Sequence, residues 1–349
     1  MTFLNPTVRK IVTWAFGIFA IPLSIAPFYA YARYDGTGKI LALEVVRHFQ
    51  GPTLGSISAH DAARYRALHL GYRDGLVTLA FGGVMDHSTE NGPTPESTTI
   101  TTTRFADDMR MLVAAGYHTV TPAQVAAWHA GRASLPANAL LLTFDGGRTD
   151  TVLNAAPILH GLHLRATVFV IGGAYKQAPV FYASPTQLRS LEKQGWSIEA
   201  HAIAGHSTVP VADGHHLPYL AARALDGKTL EDMPSFTTRV AHEYDAAKTA
   251  ATAISHQPVI AYSWPFGAYG ADARTNDHRT AAVNVRVAAS QFALGFNDDG
   301  QDTYTLASRT TDALRISRLR VDPTITPNAL FNRLELAIAA SGTTEDPHA

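Results

Sequence analysis

The chain has 349 residues, a hydrophobic content of 46% and a formal net charge of −1, which is the composition of an ordinary globular protein with one large or two small domains. Because the chain is nearly neutral, it has no bulk positive charge with which to bind nucleic acid, and we exclude a nucleic-acid partner. A neutral substrate such as a glycan fits this composition better than a charged polymer. The absence of cysteine excludes disulfides, thiolate catalysis and zinc–cysteine sites, so any metal must be bound by His, Asp or Glu.

The first feature along the chain is a run of 22 uncharged, mostly apolar residues from Ile11 to Ala32. A helix of that length crosses a bilayer core of roughly 30 Å. Arg9 and Lys10 precede the run and Arg33 follows it, a bias that favours a cytoplasmic amino terminus. We therefore predict a single-pass anchor in the plasma membrane over residues 1–33, with everything after it extracellular.

A cleaved signal peptide is the alternative interpretation of the same segment. Ala30-Tyr31-Ala32 has the small-x-small form of a cleavage site, and cleavage there would release a secreted protein. The apolar run is longer than the region of about 7–15 residues usual in signal peptides. The anchor is therefore the preferred interpretation.

One globular domain is predicted over residues 75–340, after a juxtamembrane spacer over 34–74 and before a frayed tail over 341–349. Within it, short apolar runs alternate with segments whose apolar residues recur every three or four positions. The predicted strands are 75–81, 118–120, 139–144, 166–171, 196–200 and 259–264, and the predicted helices are 104–115, 125–129, 151–160, 184–194, 236–254 and 327–340, with shorter elements between 283 and 318. This alternation predicts an α/β fold with a closed or nearly closed parallel sheet.

The central stretch is Leu140 to Phe144, a nearly all-apolar run that stops at Asp145 and is followed by Gly146-Gly147. Such a run predicts a strand buried on both faces, and the glycines let the chain turn sharply after it. Asp145 then lies at the carboxyl end of a core strand, where parallel α/β folds gather their functional loops. The alternative is that Asp145 only caps the next helix.

Two further strand ends carry polar or turn residues. His201 follows the strand 196–200 with His206 five residues later, and Pro265-Phe266-Gly267 follows the strand that ends at Trp264. Two imidazoles on a short loop can share one divalent metal ion, most often zinc. Together with Asp145, these strand ends predict one active site.

The order and spacing of these elements over residues 75–338 resemble the polysaccharide deacetylases built on the NodB-homology domain, carbohydrate esterase family 4. The resemblance is carried by Thr143-Phe144-Asp145, by Ala166-Thr167-Val168-Phe169 and by Trp264-Pro265-Phe266-Gly267. The five-residue histidine step and the Trp-Pro-Phe-Gly turn look most like the branch that acts on extracellular poly-β-1,6-N-acetylglucosamine. The resemblance implies a deformed (β/α) barrel, a metal held by one Asp and two His, and hydrolysis of N-acetyl groups on glycans.

The resemblance also implies roles for individual residues. Asp145 matches the catalytic base, and His201 and His206 match the metal ligands. We also predict that the turn Trp264-Pro265-Phe266-Gly267 binds substrate through aromatic rings that stack on sugars, with plain packing of these rings in the core as the alternative. In this chemistry the metal polarises the amide carbonyl and acidifies a bound water, whose proton the carboxylate removes.

The chain departs from the family pattern at several of these positions. Gly146 stands where the family has a metal-binding aspartate, and Ala202 replaces the Ser or Thr that usually follows the first metal histidine. Ser263 and Trp264 stand where many relatives carry an arginine that orients the base, and the late histidine used as a general acid has no match. Losing one ligand should weaken metal binding by orders of magnitude, since even outer-shell losses cost about 10–100-fold.

Two functions remain open from the sequence. In the first, the protein is an attenuated deacetylase of N-acetylglucosamine polysaccharide whose metal is completed by Asp145 itself, by water, or by Asp86 or Asp150. In the second, the protein is catalytically inactive and binds glycan or assists a polysaccharide synthase or export complex. A peptidoglycan or xylan esterase on the same scaffold would change only the substrate.

Overall fold

The computed structural model describes residues 56–85, 98–179, 181–298 and 304–342. The predicted membrane segment over residues 1–33 and the first part of the predicted spacer lie outside the described residues. Within the described ranges, no helix is both long enough and apolar enough to cross a membrane.

The strands of the described residues are numbered in chain order and belong to one large sheet and three small two-stranded sheets. They are β1 (Gly75–Phe81), β2 (Gly83–Val84), β3 (Thr99–Ile100), β4 (His118–Thr119), β5 (Ala139–Gly146), β6 (Thr167–Ile171), β7 (Ser197–Ala202), β8 (Thr208–Pro210), β9 (His216–Pro218), β10 (Leu225–Asp226), β11 (Thr229–Leu230), β12 (Ala261–Ser263), β13 (Leu294–Asn297), β14 (Ala307–Ser308), β15 (Ile316–Ser317) and β16 (Leu319–Arg320).

The α-helices lie between these strands and at both ends of the described chain. They are α1 (Ala59–Leu68), α2 (Thr102–Ala115), α3 (Pro122–His129), α4 (Ala156–Gly161), α5 (Ala174–Gln177), α6 (Pro185–Glu192), α7 (Met233–Thr252), α8 (Arg279–Ala289) and α9 (Pro327–Ser341).

The main sheet is parallel along the order β1-β5-β6-β7-β12-β13-β15, with β14 antiparallel to β1. Its two ends are linked by one short segment, because β15 pairs with β13 while β16, two residues further on, pairs with β1. The sheet therefore curls into a nearly closed barrel, and the predicted α/β barrel architecture is confirmed.

Strand β5 lies between β1 and β6 in the interior of this sheet. The side chains from Ala139 to Phe144 are all fully buried, as expected for a parallel strand covered on both faces. Asp145 and Gly146 at its end are only partly buried. The change from an apolar run to a carboxylate thus marks where the strand leaves the core.

Local capping chemistry sets several helix boundaries near their predicted positions. Gly116 ends α2 with a positive φ of 90°, a conformation that glycine adopts without strain. The pairs Thr121 with Gln124 and Ser184 with Gln187 form reciprocal capping boxes at the starts of α3 and α6.

The predicted helix over 151–160 differs in its first turn, which is a π-helix over Thr151–Ala155 before α4 begins. Pro157 lies in the first turn of α4. Because proline has no N–H to donate to the preceding turn, it interrupts the regular hydrogen-bond ladder at this point.

Helix α1 lies in the segment predicted as a spacer, and it contacts helix α9. The Tyr65 hydroxyl donates to Asn328 Oδ1 at 2.6 Å, and its ring lies 4.9 Å from that of Phe331. After α1, His69 Nδ1 lies 2.7 Å from Glu335 Oε1. Tyr65 is the only buried residue of α1, so the sequence carries little helical periodicity there.

Candidate active site

A pocket of about 660 Å³ opens at the carboxyl ends of the parallel strands. The side chains at its base come from different strand ends of the barrel. They include Phe81, Asp145, Ile171, His201 and Arg320. The structure thus brings the predicted strand-end residues to one place, as the parallel arrangement requires.

Asp145 is held at the base of this pocket by three donors. Arg318 donates from Nη1 to Oδ1 and from Nη2 to Oδ2, both at 2.8 Å, and the Ser263 hydroxyl donates to Oδ1 at 3.3 Å. The planar guanidinium matches the carboxylate in a two-point fork, which fixes the orientation of the carboxylate. Asp145 is therefore oriented by Arg318 and is not the cap of the next helix, which begins after Asp150.

The charges around Asp145 determine its protonation. Burial acts to raise the pKa of this carboxyl group, but the Arg318 guanidinium and the imidazoles of His201 and His206 outweigh it and lower the pKa to about 2. Asp145 is thus ionised throughout the neutral range. A carboxylate with so low a pKa is a weak proton acceptor.

Arg318 was not identified from the sequence, although it is the main partner of Asp145. Its side chain is fully buried, and it also donates to Asp298 Oδ1 from Nη2 at 2.7 Å and to Thr143 Oγ1 from Nη1 at 3.2 Å. Arg320 pairs with the other oxygen of Asp298. The carboxylate of Asp145 is thus oriented by an arginine from the segment that closes the barrel, 173 residues away, and not by one next to Ser263.

The two predicted metal histidines face each other. His201 lies within β7 rather than in the following loop, and its Nδ1 is 2.7 Å from the Ser263 carbonyl oxygen. Because a carbonyl only accepts, Nδ1 carries the proton and Nε2 of His201 is a free acceptor. His206 Nε2 lies 2.7 Å from that nitrogen, so it donates its own N–H to His201.

Both imidazoles are neutral at physiological pH. Burial lowers the pKa of His206 to about 3, with a further lowering from His201, and burial likewise lowers the pKa of His201. A neutral imidazole is the form that binds metal ions. The bond from His201 Nδ1 to a backbone carbonyl is also the usual way in which a metal-binding histidine is oriented.

The predicted substrate-binding turn is divided between core and pocket. Trp264, Pro265 and Gly267 are buried, and the indole N–H of Trp264 donates to the Tyr244 hydroxyl at 2.9 Å. Trp264 is therefore a core residue that does not line the pocket, so the core-packing alternative holds for it and its predicted substrate-binding role is wrong. Phe266 alone is exposed, at 43%, and its ring lies 4.8 Å from the His206 ring in the pocket.

Only one of the two predicted substitute ligands lies in the described part of the chain, and it does not join this group. Asp86 lies outside the described residues. Asp150 is fully buried, and its carboxylate accepts from Arg148 Nε at 2.9 Å, from Arg148 Nη2 at 2.7 Å and from the Val84 amide at 3.0 Å. Asp150 is thus a structural counter-ion to Arg148.

The donor set does not fit a metal held by three protein ligands. In the ranges that the structure describes, no group of three or more His, Cys, Asp or Glu side chains could hold a metal ion. Gly146, at the position of the expected third ligand, has a φ of 95°, which a side-chain-bearing residue adopts only with strain. The available ligands are the imidazoles of His201 and His206. The neighbouring carboxylate of Asp145 already accepts hydrogen bonds from Arg318 on both of its oxygens.

Comparisons with known proteins agree with this architecture. Residues 132–284 match the family model described as polysaccharide deacetylase. The Bacillus subtilis protein YxkH, a candidate polysaccharide deacetylase, is 29% identical over 120 residues, which are 34% of this chain and 41% of that protein. The chain thus spans about two-fifths of the length of this curated relative.

Solved structures show the same fold at low identity. A de-N-acetylase from Aggregatibacter actinomycetemcomitans has a TM-score of 0.63 at 19% identity, covering 74% of this chain and 99% of that one. The deacetylase domain of BpsB from Bordetella bronchiseptica has a TM-score of 0.56 at 22% identity, covering 72% and 97%. IcaB from Ammonifex degensii has a TM-score of 0.54 at 20% identity, covering 75% and 97%.

Replacing Arg318 by methionine should destabilise the fold strongly, because it leaves the carboxylates of Asp145 and Asp298 facing each other without their shared cation. We expect a loss of about 3–5 kcal/mol in the free energy of unfolding at pH 7, measured by urea denaturation. Arg320→Met is the control, since Arg320 is 38% exposed, and it should cost less than about 1 kcal/mol. Equal losses in both variants would contradict the central role of Arg318.

Comparison of the wild type with Arg318→Met also gives a prediction of how stability depends on pH. The folded pKa of Asp145, about 2, lies below the value of about 3.9 for an unfolded aspartate. The stabilisation from the ion pair is therefore complete above about pH 4 and is lost as the pH falls towards 2. The stability difference between wild type and Arg318→Met should shrink over that window, and a difference independent of pH would count against it.

Proposed function

We propose that this chain, which carries a polysaccharide deacetylase domain over residues 132–284, acts on a surface polysaccharide containing N-acetylglucosamine, with attenuated metal-assisted N-deacetylation. The observation that carries the proposal is the convergence of Asp145, His201 and His206 on one pocket, while Gly146 removes one expected ligand. The structural likeness to a de-N-acetylase and to a deacetylase domain supports amide hydrolysis as the chemistry of the scaffold.

The shape and lining of the pocket support a glycan as the ligand. Its volume of about 660 Å³ is in the range of ordinary small-ligand sites, about 300–1,000 Å³. Phe266 and Ile203 both line it with exposed apolar surface beside His206. An aromatic ring at the mouth of a pocket offers a flat face to the apolar face of a sugar ring, while the polar groups at the base meet its substituents.

Glycan binding is tested by calorimetry with a short β-1,6-linked N-acetylglucosamine oligomer. We expect one-to-one binding that Phe266→Ala weakens about tenfold, since an aromatic contact contributes about 0.5–1.5 kcal/mol beyond its buried area. Leu336→Ala is the control, because Leu336 is 71% exposed and does not line the pocket. Absence of binding by the unmodified chain would contradict the proposal.

A second function, glycan binding without catalysis, is favoured by two features of the site. The donor set has two imidazoles and no third unpaired ligand among the described residues. Asp145, with a pKa of about 2, accepts a proton less readily than a base tuned to neutral pH. In this second function the chain would hold glycan for a polysaccharide synthase or export complex.

A zinc titration separates the two functions. Gly146→Asp supplies the expected ligand, and space exists for it, since an added Cβ would lie 3.7 Å from Arg148 Cγ and 3.8 Å from Tyr182 Cε1. The positive φ should cost about 1–3 kcal/mol of stability. Gly146→Ala carries the same backbone cost without a ligand and is therefore the matched control.

We expect weak zinc binding by the unmodified chain, no gain in Gly146→Ala, and an increase of at least about tenfold in Gly146→Asp. Calorimetry with Zn²⁺, Co²⁺ and Ni²⁺ measures these affinities. Tight one-to-one binding by the unmodified chain that His201→Ala abolishes would instead mean that the site is completed by another group, and the active deacetylase would then be favoured.

The location of the chain is part of the proposal. The apolar run from Ile11 to Ala32 supports a membrane anchor with the barrel outside the cytoplasm. The full chain should then fractionate with membranes, and a chain that starts at Arg33 should not. If the expressed full chain is cleaved near Ala32 and the shortened product is recovered in the soluble fraction, the secreted form would be favoured.

A further inference from the structure

Helix α7 carries a carboxylate on the side that faces the core. Val240, Tyr244 and Ala247 on this helix are buried, and Glu243, which lies between them, is only 3% exposed. An ionised carboxylate in such a position is costly unless hydrogen bonds replace its water. A buried glutamate at a position where an apolar residue would pack more favourably therefore requires specific partners.

Those partners are three successive backbone amides of the loop that joins the two histidines. Glu243 Oε1 accepts from the amides of Ile203 at 2.7 Å and Gly205 at 2.9 Å, and Oε2 accepts from the Ala204 amide at 3.0 Å. Consecutive amides that converge in this way form an anion-binding concavity. Bonds from amides to a charged acceptor are also stronger than bonds between neutral groups.

The carboxylate of Glu243 lies close to the backbone of this loop at Gly205. A Cβ added at Gly205 would lie 3.1 Å from Glu243 Oε1 and 3.2 Å from both Ala202 Cβ and Pro265 Cγ. These approaches are tighter than ordinary van der Waals contacts, so a side chain at this position would push its neighbours, Glu243 among them, by a few tenths of an ångström. The Ala204 carbonyl of this loop accepts from the Ser207 amide at 2.8 Å and from the Ser207 hydroxyl at 2.6 Å, whereas the amides of residues 203–205 are all held by Glu243.

The position of His206 depends on this loop. His201 is fixed independently, within β7 and through its bond to the Ser263 carbonyl. His206 follows directly after the three amides that Glu243 binds, and its Nε2 reaches His201 Nε2 at 2.7 Å. We propose that Glu243 is a positioning residue that holds the loop 203–205 and thereby aligns the His206 imidazole with His201.

The proposal concerns the geometry of the histidine pair, and it holds whether or not the chain deacetylates a glycan. It is tested by nuclear magnetic resonance on the full chain labelled with ¹⁵N in histidine and in the backbone. The readout is the rate at which the His206 Nε2 proton exchanges with water. The signal is assigned by its absence from a His206→Gln variant.

In the unmodified chain we expect a protected Nε2 proton on His206, because this proton is donated to His201. Glu243→Gln replaces one acceptor oxygen by an NH2 group that faces an amide, so the loop should open more often. Exchange of the His206 proton should accelerate about tenfold to a hundredfold. Glu243→Asp, whose shorter side chain cannot reach all three amides, should change it in the same direction and serves if the glutamine variant does not fold.

Glu335→Gln is the matched control. Like Glu243, Glu335 accepts a hydrogen bond from a backbone amide of another segment, that of Leu70 at 2.8 Å. It also contacts a histidine, His69, but it does not line the pocket. This variant should leave the His206 proton protected. The proposal is overturned by equal acceleration in Glu335→Gln, or by faster exchange of the amides of residues 203–205 in Glu243→Gln with the His206 proton unchanged.

Discussion

The pocket depends on the buried guanidinium of Arg318, which lies between the carboxylates of Asp145 and Asp298. The segment that carries Arg318 pairs with β13 on one side and with β1 on the other, so the residue lies where the barrel closes. Removing a fully buried cation from between two carboxylates that it pairs with would leave those charges without their shared partner. The segment that closes the barrel by strand pairing therefore also supplies the cation that orients Asp145.

The remaining polar groups of the pocket are held by partners behind them. The Ser263 carbonyl fixes the tautomer of His201, and the Ser263 hydroxyl contacts Asp145. Glu243 binds the loop that precedes His206. Because each supporting group comes from a different element, the geometry of the pocket is a property of the assembled barrel rather than of any local motif.

Gly146 differs from these residues in two ways. It lacks the side chain of the expected metal ligand, and its backbone has a positive φ. Its φ of 95° is a conformation that glycine adopts without strain and that would be strained for an aspartate. The loss of the expected ligand is therefore accompanied by a local turn that glycine supports. The supports of Asp145 and of the histidines lie elsewhere in the fold, so they persist independently of what position 146 carries. This independence explains how the pocket keeps its form around an incomplete donor set.

The sequence by itself determined the features that depend on neighbouring residues. The apolar run before Asp145 predicted a buried parallel strand, and Gly116 and Ser184 marked helix boundaries that the structure retains. Hydrophobic periodicity and turn residues identify each strand and helix, because both signals depend on only a few neighbouring residues. The alternation of these strands and helices then predicted the nearly closed barrel. The parallel order then required the strand ends at Asp145 and His201 to meet.

Only the tertiary structure decided which side chains support the site and which fill the core. Arg318 is 173 residues from Asp145, and Glu243 is 38 to 40 residues from the amides that it binds. No local pattern encodes such pairings, since they arise when distant elements pack together. The same holds for Trp264 and Phe266, near neighbours of similar character, of which one is buried in the core and the other exposed in the pocket. Which way each ring points depends on the turn and on the partners that surround it, and these exist only once the barrel has closed.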